Sequence, residues 1–475
     1  MLDQSFSASN FEVIFNMENR KGKVDISTMS STYQAILKQL KKKKTNARDI
    51  ARKKKKDRTP EEISTLEKLE AELKDLQEKK ERELSREMSS VAEEVNSRSF
   101  RFDIEKHLYA DKEEFTIQDS KASFYAMKQL LQNMKRTFKI EMQGRHQILT
   151  TIKRLLNMSM PVFIIRTDIS SFYESIPQQA LLQKVFDNNL LNYKSKSFVK
   201  QIFSAYEDKK DTSMVKKGVG VPRGIGISAI LSELYMQDID QEFKSRDGVI
   251  FYERYVDDIF MVLTSLGAFE NLRDYYSDMQ RWFSNKGLEL KKDDSDKCQL
   301  IKYSPADDFN KVSFDYLGYR LTLSKSKKGE SELVTKFSLS AKKIKKIFER
   351  MDKAFKHFET LSKKDIGAAR RDLLDSLNFI TGNFRLSNSK RHAKAGLYYN
   401  NALVDDSSCF DTFTEALHKH AINPYSGLFA DIVERNKFVE ALQKRIQKID
   451  FKQRWESRKM YDFSLARISE ISSWL

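Results

Sequence analysis

The sequence predicts an α+β fold, an antiparallel sheet that carries acidic groups at one end and is set among long, basic helices. Three observations predict it. Tyr255-Val256-Asp257-Asp258 lies between two apolar runs, Val249-Ile250-Phe251-Tyr252 and Ile259-Phe260-Met261-Val262-Leu263, and runs rich in β-branched and aromatic residues read as buried strands. A similar run, Pro161 to Ile165, leads through Arg166 and Thr167 to Asp168. Residues 31–95, 335–385 and 421–475 place apolar residues at helical spacing among many charges.

Adjacent ionised carboxylates in an apolar setting cost several kcal/mol each unless they are paired. A tight turn between two strands avoids this by presenting both at a sheet end, where a divalent cation neutralises them. Mg²⁺ takes one or two carboxylates together with substrate phosphates, so the arrangement suits phosphoryl transfer from a nucleotide. Pairing the strand that ends at Asp168 with this turn gathers three carboxylates, the count a two-metal site needs. For the turn alone, a solvated loop with an incidental Asp-Asp is the alternative.

With Asp168 added, the chain resembles the reverse transcriptases. Asp168 matches the motif A aspartate and Tyr255 to Asp258 the Tyr-x-Asp-Asp box of motif C. Gly220-Val221-Pro222-Arg223-Gly224-Ile225-Gly226-Ile227-Ser228 resembles motif B, where glycines let backbone approach a base or sugar. Gly287-Leu288-Glu289-Leu290 resembles motif D, with Lys297 as its lysine and Lys291 or Lys292 as the alternatives. Phe314-Asp315-Tyr316-Leu317-Gly318-Tyr319 resembles motif E, the primer-grip hairpin.

The resemblance implies a right-hand polymerase of fingers, palm and thumb, with an antiparallel palm sheet. It implies an RNA-directed DNA polymerase that adds dNTPs to a 3′-hydroxyl, with an RNA template and a DNA product. Asp168, Asp257 and Asp258 become the catalytic residues. Two Mg²⁺ ions, replaceable by Mn²⁺, are held at Asp168, Ile169, Asp257 and Asp258. Nucleotide contacts are expected from Tyr173, Arg145, Pro222, Arg223, Gly224, Ser228, Tyr255 and Lys297. Leu317, Gly318, Lys390, Arg391 and Lys394 are expected to meet nucleic acid. Tyr173, five positions after Asp168, stands where the family places an aromatic steric gate against a ribonucleotide 2′-hydroxyl; a core tyrosine is the alternative.

The elements follow in order. Residues 1–99 form an N-terminal extension whose first part, with Phe6, Phe11, Ile14 and Phe15, could pack onto the body. A charged helical hairpin spans about 31–95, its first arm carrying Lys41 to Lys44 and Lys53 to Lys56. Thr59-Pro60-Glu61-Glu62 reads as a helix start: Thr as N-cap, Pro in the first turn, Glu62 completing a capping box. Leu66, Leu69, Leu73 and Leu76 make a short seam that Lys80 interrupts before Leu84, Met88 and Val91 continue. A role in RNA binding or oligomerisation and a passive solvated arm are equally open.

Residues 100–320 supply fingers and palm. The stretch 100–160 reads as largely helical and basic. Arg145 precedes an amphipathic helix with Ile148, Ile152, Leu155 and Leu156, and is either a phosphate contact or a surface arginine. From Ser228 to Lys244 one helix puts Ile230, Leu231, Leu234, Ile239 and Phe243 on an apolar face. Residues 321–420 hold the thumb and a basic helical region, where Lys390-Arg391-His392-Ala393-Lys394 precedes Tyr398-Tyr399; such interleaving suits backbone neutralisation with base stacking, or a helix interface. Residues 421–475, with Phe438, Leu442, Ile446 and Ile449, close the chain as helices.

A formal charge of +17 over 475 residues suits a polyanionic partner. Two distant cysteines, Cys298 and Cys409, offer no disulfide or metal pattern. No apolar run reaches membrane-spanning length and no signal peptide is visible, so a cytoplasmic protein without membrane contact is expected. The motif A wording, Asp168 to Ile176, resembles prokaryotic enzymes. The helical additions resemble the unknown-group and abortive-infection reverse transcriptases of bacterial antiphage defence. A homo-oligomer working with a noncoding RNA template is the expectation on that resemblance, with template-independent or protein-primed synthesis as the alternative. A metal-dependent nuclease would not need motif B or the gate. An RNA-binding oligomeric scaffold would not need three intact aspartates, and an RNA-dependent RNA polymerase usually has glycine where Val256 stands.

Overall fold

Thr59 opens a 37-residue helix in the way its sequence predicts. In the computed structural model, which describes residues 3–53, 57–109, 112–157, 160–304, 309–326, 333–386 and 393–475, the Glu62 N–H donates to Thr59 Oγ1 (3.2 Å). The Thr59 N–H donates in return to the Glu62 carboxylate (3.1 Å), a capping box with Pro60 in the first turn. The helices α1 (Ala8–Arg20), α2 (Ser31–Ala51), α3 (Pro60–Asn96) and α4 (Lys121–Thr137) are the N-terminal framework. The arms α2 and α3 are antiparallel: the Ser30 N–H at the start of α2 reaches Glu87 late in α3 (2.6 Å), and Lys43 pairs with Glu72 further out (2.6 Å). Lys54 to Lys56 lie outside the described residues.

The expected seam is buried at Leu76 and only half-buried at Leu66, Leu69 and Leu73, whereas Leu84, Met88, Val91 and Val95 are fully buried. The cause is the supply of partners. α3 packs with α1 and α4 as well as with α2, and the Glu87–Lys121 ion pair sets α4 beside its inner part. Phe6, Phe11, Ile14 and Phe15 are all buried, Phe15 edge-on to Tyr33 and Phe6 edge-on to Phe198. Buried Glu18 pairs with Lys21 and Lys128, and Glu87 with Lys121, so ion pairs tie α1 and α3 to α4.

The chain divides into two compact units that interleave along the sequence. The first comprises Met1–Met142, Ile169–Gln241 and Arg281–Glu289. It contains a hairpin, β1 (Ile104–Tyr109) and β2 (Lys112–Ile117), inside the stretch read as largely helical. Only Ile104 and Phe115 are buried in it, so alternation is too sparse to announce two strands. The helix Gly226–Lys244 buries Ile230, Leu231, Leu234, Ile239 and Phe243 as predicted.

The second unit comprises Gln143–Asp168, Glu242–Gln280 and Leu290–Leu475. Its sheet is built on β3 (Val162–Ser170), β4 (Val249–Tyr255) and β5 (Asp258–Leu263), with β5 antiparallel to both neighbours. The two-residue β6 (Glu289–Leu290) follows on the far side of β3, and β7 (Gln299–Tyr303) also pairs with β3. A second antiparallel sheet holds β8 (Val312–Tyr316), β9 (Tyr319–Lys325) and β10 (Leu333–Leu339) in the order β10-β9-β8. The helical pattern read from residue 335 starts later, at Ala341, because Leu333, Thr335, Phe337 and Leu339 alternate inward at strand period.

One core joins Val162, Ile164, Phe260 and Val262 of the first sheet to Leu321 and Phe337 of the second. It continues into the helices Ala341–Ser362 and Ile366–Thr381 through Phe355 and Leu373, and to Leu442, Ile446 and Ile449 near the C-terminus.

Candidate active site

β3 and β5 pair in a register that sets Asp168 directly opposite Asp258, and Tyr255 of β4 faces Asp258 from the other side. The connection between β4 and β5 is therefore a two-residue turn of Val256 and Asp257. Val256 has φ 61°, the left-handed conformation that the first central position of a tight hairpin turn demands and that a β-branched side chain resists. Arg254, nearly buried, donates to the Val256 carbonyl (2.5 Å) and holds the turn.

Carboxylate oxygens of Asp168, Asp257 and Asp258 come within 4.8 Å of one another. Like charges directly opposite on neighbouring strands are unfavourable, and two cations offset them. Arg166 Nη2 donates to Asp258 Oδ1 (3.1 Å) from the same strand as Asp168, two residues back and so on the same face of the sheet. Lys297 Nζ meets Asp168 Oδ2 at 2.7 Å. Lys291 contributes only its backbone N–H, to the Asp168 carbonyl (3.0 Å). Burial pushes the Asp258 carboxyl up to about 6; Arg166 and Lys297 pull against that, while Asp257 and Asp168 add to it. A partly buried group of carboxylates, among which Asp258 has a raised proton affinity, is suited to a divalent cation, which supplies the charge that a proton otherwise would.

The motif B residues lie together in the first unit with Tyr173. Ser171 has φ 46° and turns the chain out of β3 into the short helix Phe172–Ser175. The Val221 N–H donates to the Tyr173 carbonyl (2.8 Å), and the Arg223 guanidinium lies over the half-buried Tyr173 ring, 5.3 Å from its centroid. Arg223 is fixed there by two hydrogen bonds to Glu174 (2.9 and 3.1 Å). Gly224 has φ +99°, and a Cβ on it would stand 2.6 Å from the Phe115 carbonyl. Buried Ser228 donates its hydroxyl to the Pro222 carbonyl (2.5 Å), so it closes the motif B turn. A cavity of about 700 Å³ opens beside this turn, with Phe115, Ser171, Glu174, Tyr206, Val221 and Arg223 in its wall.

The remaining sequence-derived positions are distributed over several elements. Ile169 is buried on β3 and Tyr255 is more than a third exposed at the end of β4. Arg145 donates to the Asn400 carbonyl (3.1 Å) and lies over the Tyr319 ring. Leu317 and Gly318 form the two-residue β8–β9 turn, both at positive φ. Lys394 stands over the Tyr399 ring, and Tyr398 packs against Trp455. Lys390 and Arg391 lie outside the described residues.

The sequence reading passed over Arg166, Glu174 and Arg254. A signal existed for the first: an arginine inside an apolar strand, in phase with a carboxylate two residues on, needs an anion nearby.

Residues 88–321 match the family described as reverse transcriptase (RNA-dependent DNA polymerase). No curated protein sequence matches the chain. Among solved structures, it is similar to apo telomerase from Candida tropicalis at 16% identity, over 79% of this chain and 67% of that one, with a TM-score of 0.36. For the same enzyme truncated from its C-terminal domain the figures are 16%, 48% and 54%, with a TM-score of 0.31. For telomerase from Candida albicans with a fragment of telomeric RNA they are 14%, 53% and 45%, with a TM-score of 0.29. The chain thus spans about half the length of the last two of these telomerase chains. Motif order, the carboxylate group and the family match converge on one assignment: residues 88–321 are a reverse transcriptase domain, a nucleotidyltransferase of the RNA-dependent DNA polymerase family.

Proposed function

We propose that the chain is an RNA-directed DNA polymerase that joins dNTPs to a 3′-hydroxyl. The observation that carries this reading is the approach of Asp168, Asp257 and Asp258 at one sheet end within a reverse transcriptase domain. These three carboxylates would hold two Mg²⁺ ions, which supply activation of the attacking hydroxyl and charge stabilisation of the leaving pyrophosphate. Arg166 and Lys297 orient Asp258 and Asp168 through ion pairs. Tyr173, its ring face covered by Arg223, screens the sugar 2′ position against ribonucleotides. The motif A wording and the helical additions favour an antiphage-defence enzyme of the unknown-group or abortive-infection kind, cytoplasmic, oligomeric and templated by a noncoding RNA. Sequencing nucleic acid that copurifies with the chain tests that refinement: one enriched structured RNA supports it, and random cellular RNA counts against it.

Asp257→Ala should lower incorporation on a primed RNA template by about 10³-fold or more, through loss of a metal-holding charge. Its fold should survive, because one of three crowded like charges has gone. Asp258→Ala should lose activity as well but melt earlier, since it leaves nearly buried Arg166 without its carboxylate, a change that costs about 3–5 kcal/mol in buried pairs. Wild-type-like incorporation by Asp257→Ala would sink the assignment of the site.

Metal dependence should follow pH. The folded-state affinity of Asp258 for a proton is raised to about 6, so the proton-linked contribution favours the fold below the ordinary carboxylate value and is lost as pH rises through 6. Above 6 the ionised site is the unfavourable one, and a divalent cation relieves it. The melting-temperature rise caused by millimolar Mg²⁺ should therefore be larger at pH 7.5 than at pH 5. Equal rises would place the cation elsewhere.

Sugar choice tests Tyr173. In Tyr173→Ala the ratio of kcat/KM for ribonucleotides to that for deoxyribonucleotides should rise by at least tenfold. A variant that still polymerises with an unchanged ratio would make Tyr173 a packing partner of Arg223 and nothing more.

A further inference from the structure

The N-terminal hairpin carries a feature that the polymerase reading does not use. Between α2 and α3 lies a cleft of about 360 Å³ lined by Leu37, Leu40, Lys41, Lys44, Thr45 and Arg48 of α2 and by Gln77 and Lys80 of α3. Lys41, Lys44 and Arg48 stand at i, i+3 and i+7 and so share one helix face, spread over about 10 Å of axis. Lys80 faces them from the other arm. No carboxylate lines the cleft, although α3 is rich in glutamate.

Elsewhere on the hairpin several cations are matched, Lys43 with Glu72, Lys53 with Glu62 and Lys79 with Asp75. None of the four cleft cations forms an ion pair with a described residue. Four like charges gathered around one cleft repel one another, and among the described residues no ion pair offsets that repulsion.

We propose that this cleft binds the phosphate backbone of single-stranded RNA, at residues separate from the carboxylate site; the choice of RNA rests on the reading of the domain as RNA-directed. The cations recur along the helix as phosphates recur along a strand. Arg48 offers a planar fork to phosphate oxygens and the lysines offer point charges. Thr45 and Gln77 add polar groups that can meet ribose or phosphate, and Leu37 and Leu40 give an apolar floor. The site thus takes a polyanion by charge and spacing, without reading bases.

The test measures binding of a fluorescent unstructured 20-nucleotide RNA to the full chain by anisotropy, in EDTA and without dNTPs, over a range of salt concentrations. Each cation that meets a phosphate on a single strand contributes about 0.7 to the slope of log affinity against log salt. Lys44→Gln with Arg48→Gln should therefore flatten the slope by roughly 1.4 and weaken binding at 0.1 M salt by about 10- to 30-fold. Lys43→Gln with Lys79→Gln removes the same charge from cations already paired, and should leave the slope unchanged. Equal slopes for the two double variants would overturn the proposal. With no metal or dNTP present, failure of the polymerase reading leaves this outcome unaffected.

Discussion

Three like charges held at the end of one sheet are the constraint on which the rest of the site depends. Two carboxylates 4.8 Å apart repel by about 3 kcal/mol at the effective dielectric of a protein site, and each of the three has two such neighbours. No arrangement of strands survives that unless countercharge is built in beside it. Arg166 and Lys297 are that countercharge. Arg166 cannot retreat to water, being only 6% exposed, so Asp258 and Arg166 hold each other in place. The pairing of β3 with β5 and the position of the Lys297 loop are therefore electrostatic necessities as well as packing choices.

Geometry is forced in the same way at the turns. Val256, Leu317 and Ser171 all have positive φ without being glycine, and residues held so cost of order 1–3 kcal/mol each. Each adjoins a functional motif: the Asp257-Asp258 turn, the motif E turn and the exit from the Asp168 strand. Val256 and Leu317 are also held from both sides. Strand pairing closes on Tyr255 and Asp258 around Val256, and on Tyr316 and Tyr319 around Leu317, while the Ser340 N–H donates to the Gly318 carbonyl. Strain is tolerated here because it aims a side chain or backbone that a relaxed turn would point elsewhere. In motif B the same job falls to Gly224, where backbone passes too close to Phe115 for any Cβ.

How much of this was legible in the sequence varies with the physical signal. The two long apolar runs around Asp257-Asp258 announce a hairpin because buried strands and a charged turn leave few other solutions. Thr59, Pro60 and Glu62 announce a helix start because each answers a different demand of its first turn. The β1–β2 hairpin was not legible, since one buried residue per strand is too little alternation to detect. The start of β10 was masked by the basic helical pattern that follows it. Arg145 reads as either a phosphate contact or a surface arginine because charge at a helix start is all that sequence reveals; the groups it touches, Tyr319 and Asn400, lie at least 174 residues away along the chain. Arg166 had a signal, yet an apolar strand invites counting hydrophobes rather than asking what neutralises the exception.

Charge balance carries the site one step further. Among the described residues, Arg166 and Lys297 each pair with one of the three carboxylates, and the cluster remains acidic enough to suit a divalent ion. A divalent ion would bring charge of the opposite sign. A second, on the two-ion reading, would leave a strongly positive cluster in a partly buried place, which is as unfavourable as the negative one it replaced. A nucleotide triphosphate brings negative charge of the size required, so occupancy of the second position and binding of the nucleotide should reinforce each other. On this view Arg166 and Lys297 do more than protect the aspartates in the absence of metal. By satisfying part of the carboxylate charge in advance, they would, if two ions are held there, leave a stable two-ion state dependent on the charge that a substrate brings.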